Sequence, residues 1–243
     1  MILVIGCGFV GETVAKSLEK NGHTVGRVDP KLGTTISTFS NFESAIVCLP
    51  SPTVDGKCDD TLIRSVIDQL NDVPVLLKST ITPDLITSYP DNVSYYPEFL
   101  RAASAQEDFD NQHIVILGGE HSQLFYWKHI FSYLNAEVIE TDRHTASMVK
   151  YMHNVWLAMK VAFFHEIFYL LPECNFFSMA SILAKFPNIG PTHMFAPNDT
   201  NTLGFGGHCF PKDTEAFQSF SNSEILKKVI EVNNMLGDKG CCC

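Results

Sequence analysis

The chain has 243 residues, of which 45% are hydrophobic and 18% charged, and its formal net charge is −10 at pH 7. This length suffices for one large domain or two modest ones with a substantial core, and the composition is that of a folded protein rather than a disordered one. The acidic balance argues against a nucleic-acid surface, because phosphate backbones attract basic residues. The first residues lack the basic segment of a signal peptide, and the most apolar later stretch, 155–171, contains Lys160, His165 and Glu166. We therefore expect a cytoplasmic protein with no membrane span.

The spacing of the eight cysteines does not indicate a metal site. They include no Cys-x-x-Cys pair, and no histidines stand at zinc-finger spacing. A disulfide scaffold is typical of small secreted chains, and this chain is neither small nor visibly secreted. The tail Cys241-Cys-Cys243 has no physical explanation in the sequence.

The first motif is a dinucleotide fingerprint. An apolar strand, Ile2–Ile5, leads into Gly6-Cys-Gly8-Phe-Val-Gly11 and then into an amphipathic helix that extends to about residue 20. In this pattern Gly6 makes the turn, Gly8 lets a pyrophosphate approach the helix N-terminus, and Gly11 allows close packing of the helix on the strand.

The next strand, 23–28, ends in an acidic residue that bears on the choice of dinucleotide. Asp29 is placed to accept hydrogen bonds from a ribose 2′-hydroxyl, which favours NAD over NADP. Arg27 favours the opposite choice, since an arginine can accommodate a 2′-phosphate.

Strands and helices then alternate, which predicts a parallel, doubly wound sheet. The expected strands are 45–49, 74–77, 93–96, 113–117 and 136–139, and the expected helices are 60–70 and 123–134. Loops at the carboxyl ends of such strands line the ligand crevice, so Thr53, Ser79 and Thr80 are candidates for contacts with the cofactor or are ordinary turn residues. Glu98 follows a strand end and a proline, and it is either a helix cap or a base that points into the crevice.

From residue 142 onward the pattern changes to helices. Apolar positions at helical spacing predict one long helix over 144–171, then helices over 178–186, 212–220 and 223–236. Lys150 and Asn154 share one face of the long helix, where a solvated pair is the alternative to a functional one. We expect an α/β fold with a Rossmann-like NAD-binding domain over 1–141 and an all-helical central domain over 142–243.

The loop Gly204-Phe-Gly-Gly-His-Cys-Phe-Pro-Lys-Asp213 places Cys209 directly before a helix. Pro211 suits the first turn of that helix. The helix N-terminus and the Lys212 ammonium would lower the pKa of the Cys209 thiol and favour the thiolate. A thiolate that attacks an aldehyde gives a thiohemiacetal, which can lose hydride to a nicotinamide. The alternative is a turn with a buried, inert cysteine, and the dinucleotide fingerprint favours the catalytic interpretation.

Together these motifs resemble the nucleotide-sugar (UDP-glucose/GDP-mannose) 6-dehydrogenase family. The matching segments occur in the order that the family has and extend over nearly the whole chain: Gly6–Gly11, Leu49–Thr53, Lys78–Thr80, Pro97–Arg101, Lys150–Asn154 with Glu166, and Gly204–Asp213. The last of these segments is the most specific.

The resemblance implies the NAD-dependent four-electron oxidation of a nucleotide sugar, with UDP-glucose expected, at C6 to the acid by a homodimer formed through the central helix. Cys209 would be the nucleophile, Lys150 and Asn154 would stabilise the oxyanion, Glu98 would activate water, and Asp213 with Thr80 would hold a water. The implied cofactor residues are Gly6, Gly8, Phe9, Val10, Gly11, Asp29, Pro50, Thr53, Ser79, Thr80 and Lys212. The implied substrate residues are Phe99, Leu100, Lys150, Asn154, Phe205 and Gly206.

The chain departs from the family pattern in four places, one of which is a short segment between Asp29 and Ala45. Members carry a third domain that grips the nucleotide half of the substrate, and we expect this domain to be absent because the chain stops soon after Asn234. Ala102-Ala103 stands where members usually have Glu-Gly, and Asn188 stands where an arginine reaches the substrate of the partner subunit.

Four functions remain open from the sequence. The chain is a compact dehydrogenase with a different or looser substrate, a dehydrogenase completed by a partner chain, a non-catalytic NAD-binding protein, or a two-electron enzyme of the 3-hydroxyacid or 6-phosphogluconate type. The last class often uses a lysine and an asparagine four residues apart and needs no cysteine.

Overall fold

The apolar runs of the sequence form strands and the amphipathic runs form helices in the computed structural model, which describes residues 1–171, 173–197 and 202–239. The strands of these residues are β1 (Ile2–Ile5), β2 (Val25–Val28), β3 (Ser44–Val47), β4 (Thr53–Val54), β5 (Lys57–Cys58), β6 (Val75–Leu77), β7 (Val93–Tyr95), β8 (Ile114–Gly118) and β9 (Glu137–Thr141). The helices are α1 (Phe9–Lys20), α2 (Thr61–Ile67), α3 (Pro83–Ile86), α4 (Ala105–Asp110), α5 (His121–Ile130), α6 (Arg143–Leu170), α7 (Glu173–Leu183), α8 (Phe210–Ser221) and α9 (Glu224–Lys239).

Seven strands form one sheet in the order β2-β1-β3-β6-β7-β8-β9, while β4 and β5 form a separate hairpin. The α/β fold class is confirmed, but the expectation of a wholly parallel sheet is wrong at one pair. Strands β7 and β8 are antiparallel, with Tyr95 opposite Gly118. The connection between them packs α4 against α1, where Ser17 Oγ donates to Asp110 Oδ1 at 2.8 Å. This connection returns the chain to the end of the sheet that β7 has just left, so β8 runs in the opposite sense.

Both faces of the sheet are covered, as the nearly continuous apolar strands predict. Successive side chains of β1 illustrate the arrangement. Ile2 and Val4 pack with Leu18 and Trp127 on one face, whereas Leu3 and Ile5 belong to the core of the opposite face with α2 and α3. The strand ends are therefore held between two apolar layers, which makes the loops that follow them well-defined positions for functional groups.

The chain divides into two compact units. The sheet unit comprises Met1–Pro52 and Cys58–Lys150, and the helical unit comprises Thr53–Lys57 and the residues from Tyr151 onward. Helix α6 contributes to both, with residues 143–150 in the first unit and 151–170 in the second. The division into folding domains at residues 141/142 stays a prediction.

The helical unit has its own core. Phe164 of α6 packs there with Phe176 of α7, Leu203 and Leu236 of α9. Within this unit, the ring of Tyr151 on α6 stacks on the ring of Phe217 on α8, with the two centroids 5.4 Å apart. In the described residues, no helix combines the length and the apolar character that crossing a membrane requires.

The helix boundaries differ from the expected ones mainly at α5 and α7. The expected helix over 123–134 ends at Ile130, and a 3₁₀ turn, Ser132–Leu134, leads to Asn135, which has the left-handed φ of 50°. Helix α7 begins five residues before the expected start, because its apolar positions continue toward the N-terminus. The long helix agrees with its predicted extent to within one residue at each end.

Candidate functional site

The glycine turn after β1 has the geometry that the fingerprint predicts. Gly6 has φ of +88°, and a Cβ atom there would lie 2.7 Å from the carbonyl oxygen of Cys48. A Cβ atom on Gly11 would lie 2.0 Å from the carbonyl oxygen of Gly6, so only glycine allows this approach of α1 to the turn. A Cβ atom on Gly8 would have no neighbour within 4 Å. The backbone at Gly8 therefore faces open space at the N-terminus of α1, where an anion is favoured.

Two charged residues at the end of β2, Arg27 in the strand and Asp29 directly after it, bond to the glycine turn and to α1. The Asp29 carboxylate accepts from the backbone N–H groups of Cys7 and Lys31, both at 2.8 Å, and these hydrogen bonds lower the pKa of Asp29. The guanidinium of Arg27 donates to Glu12 at 3.0 Å and to Glu19 at 2.6 Å. Arg27 is thus occupied by two carboxylates of α1, which leaves it poorly suited to bind a 2′-phosphate.

Of the three hydroxyl residues predicted to touch a cofactor, Ser79 and Thr53 donate to backbone carbonyls, and Thr80 accepts from Ser51 through its own carbonyl. Ser79 Oγ donates to the carbonyl of Leu49 at 2.6 Å, and Ser51 Oγ donates to the carbonyl of Thr80 at 2.6 Å. These bonds tie the end of β3 to the end of β6. Thr53 belongs to the helical unit, where its hydroxyl donates to the carbonyl of Lys212 at 2.9 Å. Pro50, also a predicted cofactor contact, is exposed.

In the sheet unit, Glu98 and Lys150 form a nearly buried ion pair. Lys150 Nζ lies 3.2 Å from Glu98 Oε1, and the two side chains are 3% and 10% exposed. The ammonium also donates to the carbonyl oxygen of Glu98 and lies 5.2 Å from the ring centroid of Phe99. Glu98 Oε2 accepts from the backbone N–H of Leu100 at 2.8 Å. Four of the predicted catalytic and substrate residues are therefore in one place. Glu98 is not the cap of a helix, because the next helical turn begins at Ala102 with Arg101 as its N-cap, and the role of Glu98 as a base stays a prediction.

Lys78, at the end of β6, is a buried cation to which the motif analysis gave no role. Its side chain is 2% exposed, and Nζ lies 3.3 Å from the ring centroid of Tyr96 and 3.3 Å from the carbonyl oxygen of the same residue. Burial lowers the pKa of Lys78 to about 8, against the opposing effects of Cys48 and Glu98. The lysine lines a cavity of about 90 Å³ together with Glu98. The available signal in the sequence was a lysine directly after the apolar run of the strand.

In the helical unit, Cys209 stands at the N-terminus of α8. It is the N-cap residue of that helix and is exposed, so the expectation of a buried cysteine under the alternative is wrong, while the reactivity of the thiol stays a prediction. The first turn contains Asp213, which is 1% exposed and accepts from Asn154 Nδ2 and from Lys212 Nζ, both at 2.6 Å. Because the Lys212 ammonium is paired with the Asp213 carboxylate, much of its positive charge is balanced there and less of it acts on the Cys209 thiol. The helix N-terminus remains close to the Cys209 thiol.

The glycine-rich loop before Cys209 borders a cavity of about 680 Å³. Gly206 is exposed on its wall, whereas the ring of Phe205 packs with Ala158, Val161 and Ala162 of α6. Two further residues that sequence reasoning missed, His165 and Asn233, hold the backbone of Gly204 and Phe205. No signal in the sequence distinguished either of them.

The predicted site residues thus form three groups within the units. The glycine turn gathers Gly6, Gly8, Phe9, Val10, Gly11 and Asp29; the strand ends gather Ser79, Thr80, Glu98, Phe99, Leu100 and Lys150; the helical unit gathers Thr53, Asn154, Phe205, Gly206, Cys209, Lys212 and Asp213. Thr80 and Asp213, predicted to share a water, belong to different units. Among the described residues, no three His, Cys, Asp or Glu side chains are grouped to hold a metal ion. The tail Cys241–Cys243 lies outside the described residues.

Comparison with known proteins identifies the family. The profile of the "UDP-glucose/GDP-mannose dehydrogenase family, central domain" matches residues 144–235, which include α6 from its second residue onward and the Cys209 loop. A UDP-glucose 6-dehydrogenase of Bacillus subtilis (strain 168) is 32% identical over 191 residues. The chain belongs to the UDP-glucose/GDP-mannose dehydrogenase family. The aligned part covers 72% of this chain and 42% of the Bacillus relative.

Solved structures share the fold of this nucleotide-sugar dehydrogenase family member. A UDP-glucose dehydrogenase from Pyrobaculum islandicum superposes with a TM-score of 0.83 at 24% identity, covering 96% of this chain and 68% of that one. A 3-hydroxyisobutyrate dehydrogenase from Mycobacterium tuberculosis superposes with a TM-score of 0.73 at 16% identity, covering 98% and 94%. The chain spans about half the length of the curated relatives it matches.

Proposed function

We propose that this chain catalyses the NAD-dependent oxidation of a nucleotide sugar at C6 to the uronic acid, with UDP-glucose as the first candidate substrate and Cys209 as the covalent nucleophile. The observation that carries the proposal is the arrangement around the start of α8. An exposed cysteine at a helix N-terminus is followed, one turn later, by a buried aspartate held by Asn154 and Lys212. A structural cysteine would need neither the exposure nor the buried polar partners beside it.

The glycine turn supports the choice of NAD. The open backbone at Gly8 and the N-terminus of α1 fit a pyrophosphate, and the Asp29 oxygens retain lone pairs for a ribose hydroxyl beside their two backbone bonds. The pairing of Arg27 with Glu12 and Glu19 removes the residue that favoured NADP. When bound, NAD would supply the hydride acceptor for each of the two oxidation steps.

The residues of the chain then have distinct tasks. The overall reaction converts the C6 alcohol, two NAD⁺ and one water into the carboxylate, two NADH and three protons. After the first oxidation, the Cys209 thiolate adds to the aldehyde carbon and gives a thiohemiacetal, and loss of hydride from that carbon leaves a thioester. Lys150 and the second N–H of Asn154 would stabilise the oxyanion. Glu98 would take a proton from the water that cleaves the thioester, and the thiolate leaves.

Each of two alternative functions is supported by a specific observation. The likeness to a 3-hydroxyisobutyrate dehydrogenase over 94% of that chain favours a two-electron reaction, which would use Lys150 and Asn154 without Cys209. The open backbone at Gly8 is equally compatible with an NAD-binding chain that is inactive alone or acts with a partner chain. The exposure of Cys209 favours the four-electron reaction over both.

The outer face of α6 supports a homodimer. Val149, Met152, Trp156, Phe163 and Leu170 are between 41% and 65% exposed. At 100° per residue, these five side chains fall within about 60° of arc and form one apolar stripe along the helix. We propose that a second copy of the chain covers this stripe, because exposed apolar patches of this kind mark interaction surfaces.

Two alanine substitutions separate cofactor binding from folding. Gly8→Ala adds a Cβ atom in open space, so the free energy of unfolding should change by no more than about 1 kcal/mol, while the Kd for NAD should rise by about tenfold or more. Gly11→Ala forces a contact with the Gly6 carbonyl and should lower the free energy of unfolding by about 1–3 kcal/mol. Chemical denaturation and NAD titration measure the two quantities. Wild-type NAD affinity in Gly8→Ala would exclude this turn as the pyrophosphate site.

NADH stoichiometry tests the reaction itself. The protein, mixed with NAD and UDP-glucose, is expected to form two NADH for each sugar consumed, with an acid as product. Cys209→Ser should lower acid formation by about a thousandfold or more, because no thioester can form. One NADH per substrate and full activity of Cys209→Ser would favour the two-electron class, whereas NAD binding without turnover would favour the non-catalytic or partner-dependent alternative.

The proposed dimer contact through the stripe on α6 is tested by introducing one charged side chain. Trp156→Glu places a carboxylate at the centre of the apolar stripe and should shift the molar mass in solution from that of a dimer to that of a monomer, measured by light scattering after size exclusion. Phe125→Glu is the matched control, since Phe125 of α5 is 72% exposed and is not part of the stripe. An unchanged dimer in Trp156→Glu would place the contact elsewhere.

A further inference from the structure

The loop that carries Cys209 is anchored at its first residue by a histidine. His165 lies on α6 and is 1% exposed. Its Nδ1 accepts from the backbone N–H of Gly204 at 2.8 Å, and its Nε2 lies 3.1 Å from the carbonyl oxygen of Phe195. The ring therefore joins the segment at residue 195 to the start of the loop, five residues before the nucleophile.

These two partners determine the protonation of the ring. A backbone N–H can only donate, so Nδ1 must be unprotonated, and a carbonyl can only accept, so Nε2 must carry the proton. The contact thus needs the neutral Nε2–H tautomer. An imidazolium has a proton on both nitrogens and cannot accept from Gly204. Protonation would leave two N–H groups opposed at a buried position.

The surroundings of His165 favour the neutral form. The cavity wall beside it contains one other titratable side chain, His193, and no Asp, Glu, Lys or Arg among the described residues. The helices that share a core with α6 also carry charged residues. Those of α9 are exposed: Glu224, Lys227, Lys228 and Glu231. Helix α7 begins with Glu173, and Lys160 of α6 itself donates to the carbonyls of Ile189 and Gly190. Burial lowers the pKa of His165 below its usual value, and the carbonyl of Phe195 opposes this only in part.

A second anchor beside it does not titrate. Asn233 Oδ1 accepts from the backbone N–H of Phe205 at 2.6 Å, and its Nδ2 donates to the carbonyl of Phe205 at 3.2 Å. Gly204 has φ of +83°, and a Cβ atom there would lie 2.6 Å from Asn233 Oδ1. The loop start is therefore built to one geometry, and of the two side-chain anchors found among the described residues, His165 is the one that depends on pH.

We propose that His165 is a positioning residue that holds the start of the Cys209 loop through its neutral tautomer and releases Gly204 on protonation. The sign follows from the contact. The neutral form makes the bond, so the anchor is complete at neutral pH and is lost as the pH falls through the lowered pKa of His165. Its meaning for turnover rests on the proposed function, whereas the anchoring of the loop does not.

Hydrogen exchange of the loop tests this directly. Deuterium uptake of a peptide that contains Gly204 and Phe205 is followed by mass spectrometry between pH 7.5 and 5, with each rate normalised to the intrinsic exchange rate at that pH. In the wild type, protection at Gly204 should fall by about tenfold for each pH unit below the pKa of His165. His165→Asn keeps a side-chain carbonyl for the Gly204 N–H and cannot titrate, so its protection should be independent of pH.

Two further variants complete the test. His193→Asn removes the other titratable group of the wall and should keep the loss of protection in acid; Asn233→Ala should lower protection at every pH. Constant protection in the wild type, or the same loss in acid in His165→Asn, would overturn the inference. Loss in acid without NADH formation would overturn the proposed function alone, and NADH formation with constant protection would overturn this inference alone.

Discussion

A buried carboxylate constrains the whole helical half of the candidate site. Asp213 is 1% exposed. An uncompensated charge at such a position costs several kcal/mol, which is on the order of the whole free energy of unfolding of a domain. Its two oxygens are satisfied by Asn154 of α6 and by the neighbouring Lys212. Each hydrogen bond to a charged group is worth about 1.5–3 kcal/mol. The first turn of α8 can therefore not move away from α6, and Cys209, one residue before that turn, is fixed with it.

The sheet unit treats its own buried charges in the same way. Glu98, which follows β7, forms an ion pair with Lys150, and Lys78, at the end of the neighbouring strand β6, lies against the Tyr96 ring. Helix α6 supplies a partner in each unit, Lys150 in one and Asn154 in the other. Groups held by fixed partners instead of by water need little reorganisation when charge develops on a substrate, which is the condition for electrostatic catalysis.

The sequence predicted the parts of the fold that depend on local pattern. The apolar run of β6, the glycines of the first turn and the apolar spacing of α6 each determine one element, and the structure agrees with all three. The antiparallel pair of β7 and β8 was missed because a connection of irregular structure and one short helix carries no signal of the direction in which it returns.

The site was predictable as motifs but not as contacts. The sequence shows that Cys209 follows a glycine-rich loop. It does not show that the Thr53 hydroxyl donates to the carbonyl of Lys212, 159 residues away. The same holds for His165, which in the sequence only interrupts an apolar helix. Its partner is the backbone of Gly204, and backbone groups leave no trace in the sequence of residue types.

The central claim, that Cys209 forms a covalent bond to the substrate carbon, is tested most directly by trapping the thioester. Glu98→Gln removes the proposed water-activating base, so the protein incubated with NAD and UDP-glucose should accumulate an adduct. Peptide mass spectrometry is expected to find the mass of the nucleotide-sugar acyl group on Cys209 in Glu98→Gln and none in a variant that also carries Cys209→Ser. NADH formation by the wild type, with no adduct on Cys209 in Glu98→Gln, would contradict the account.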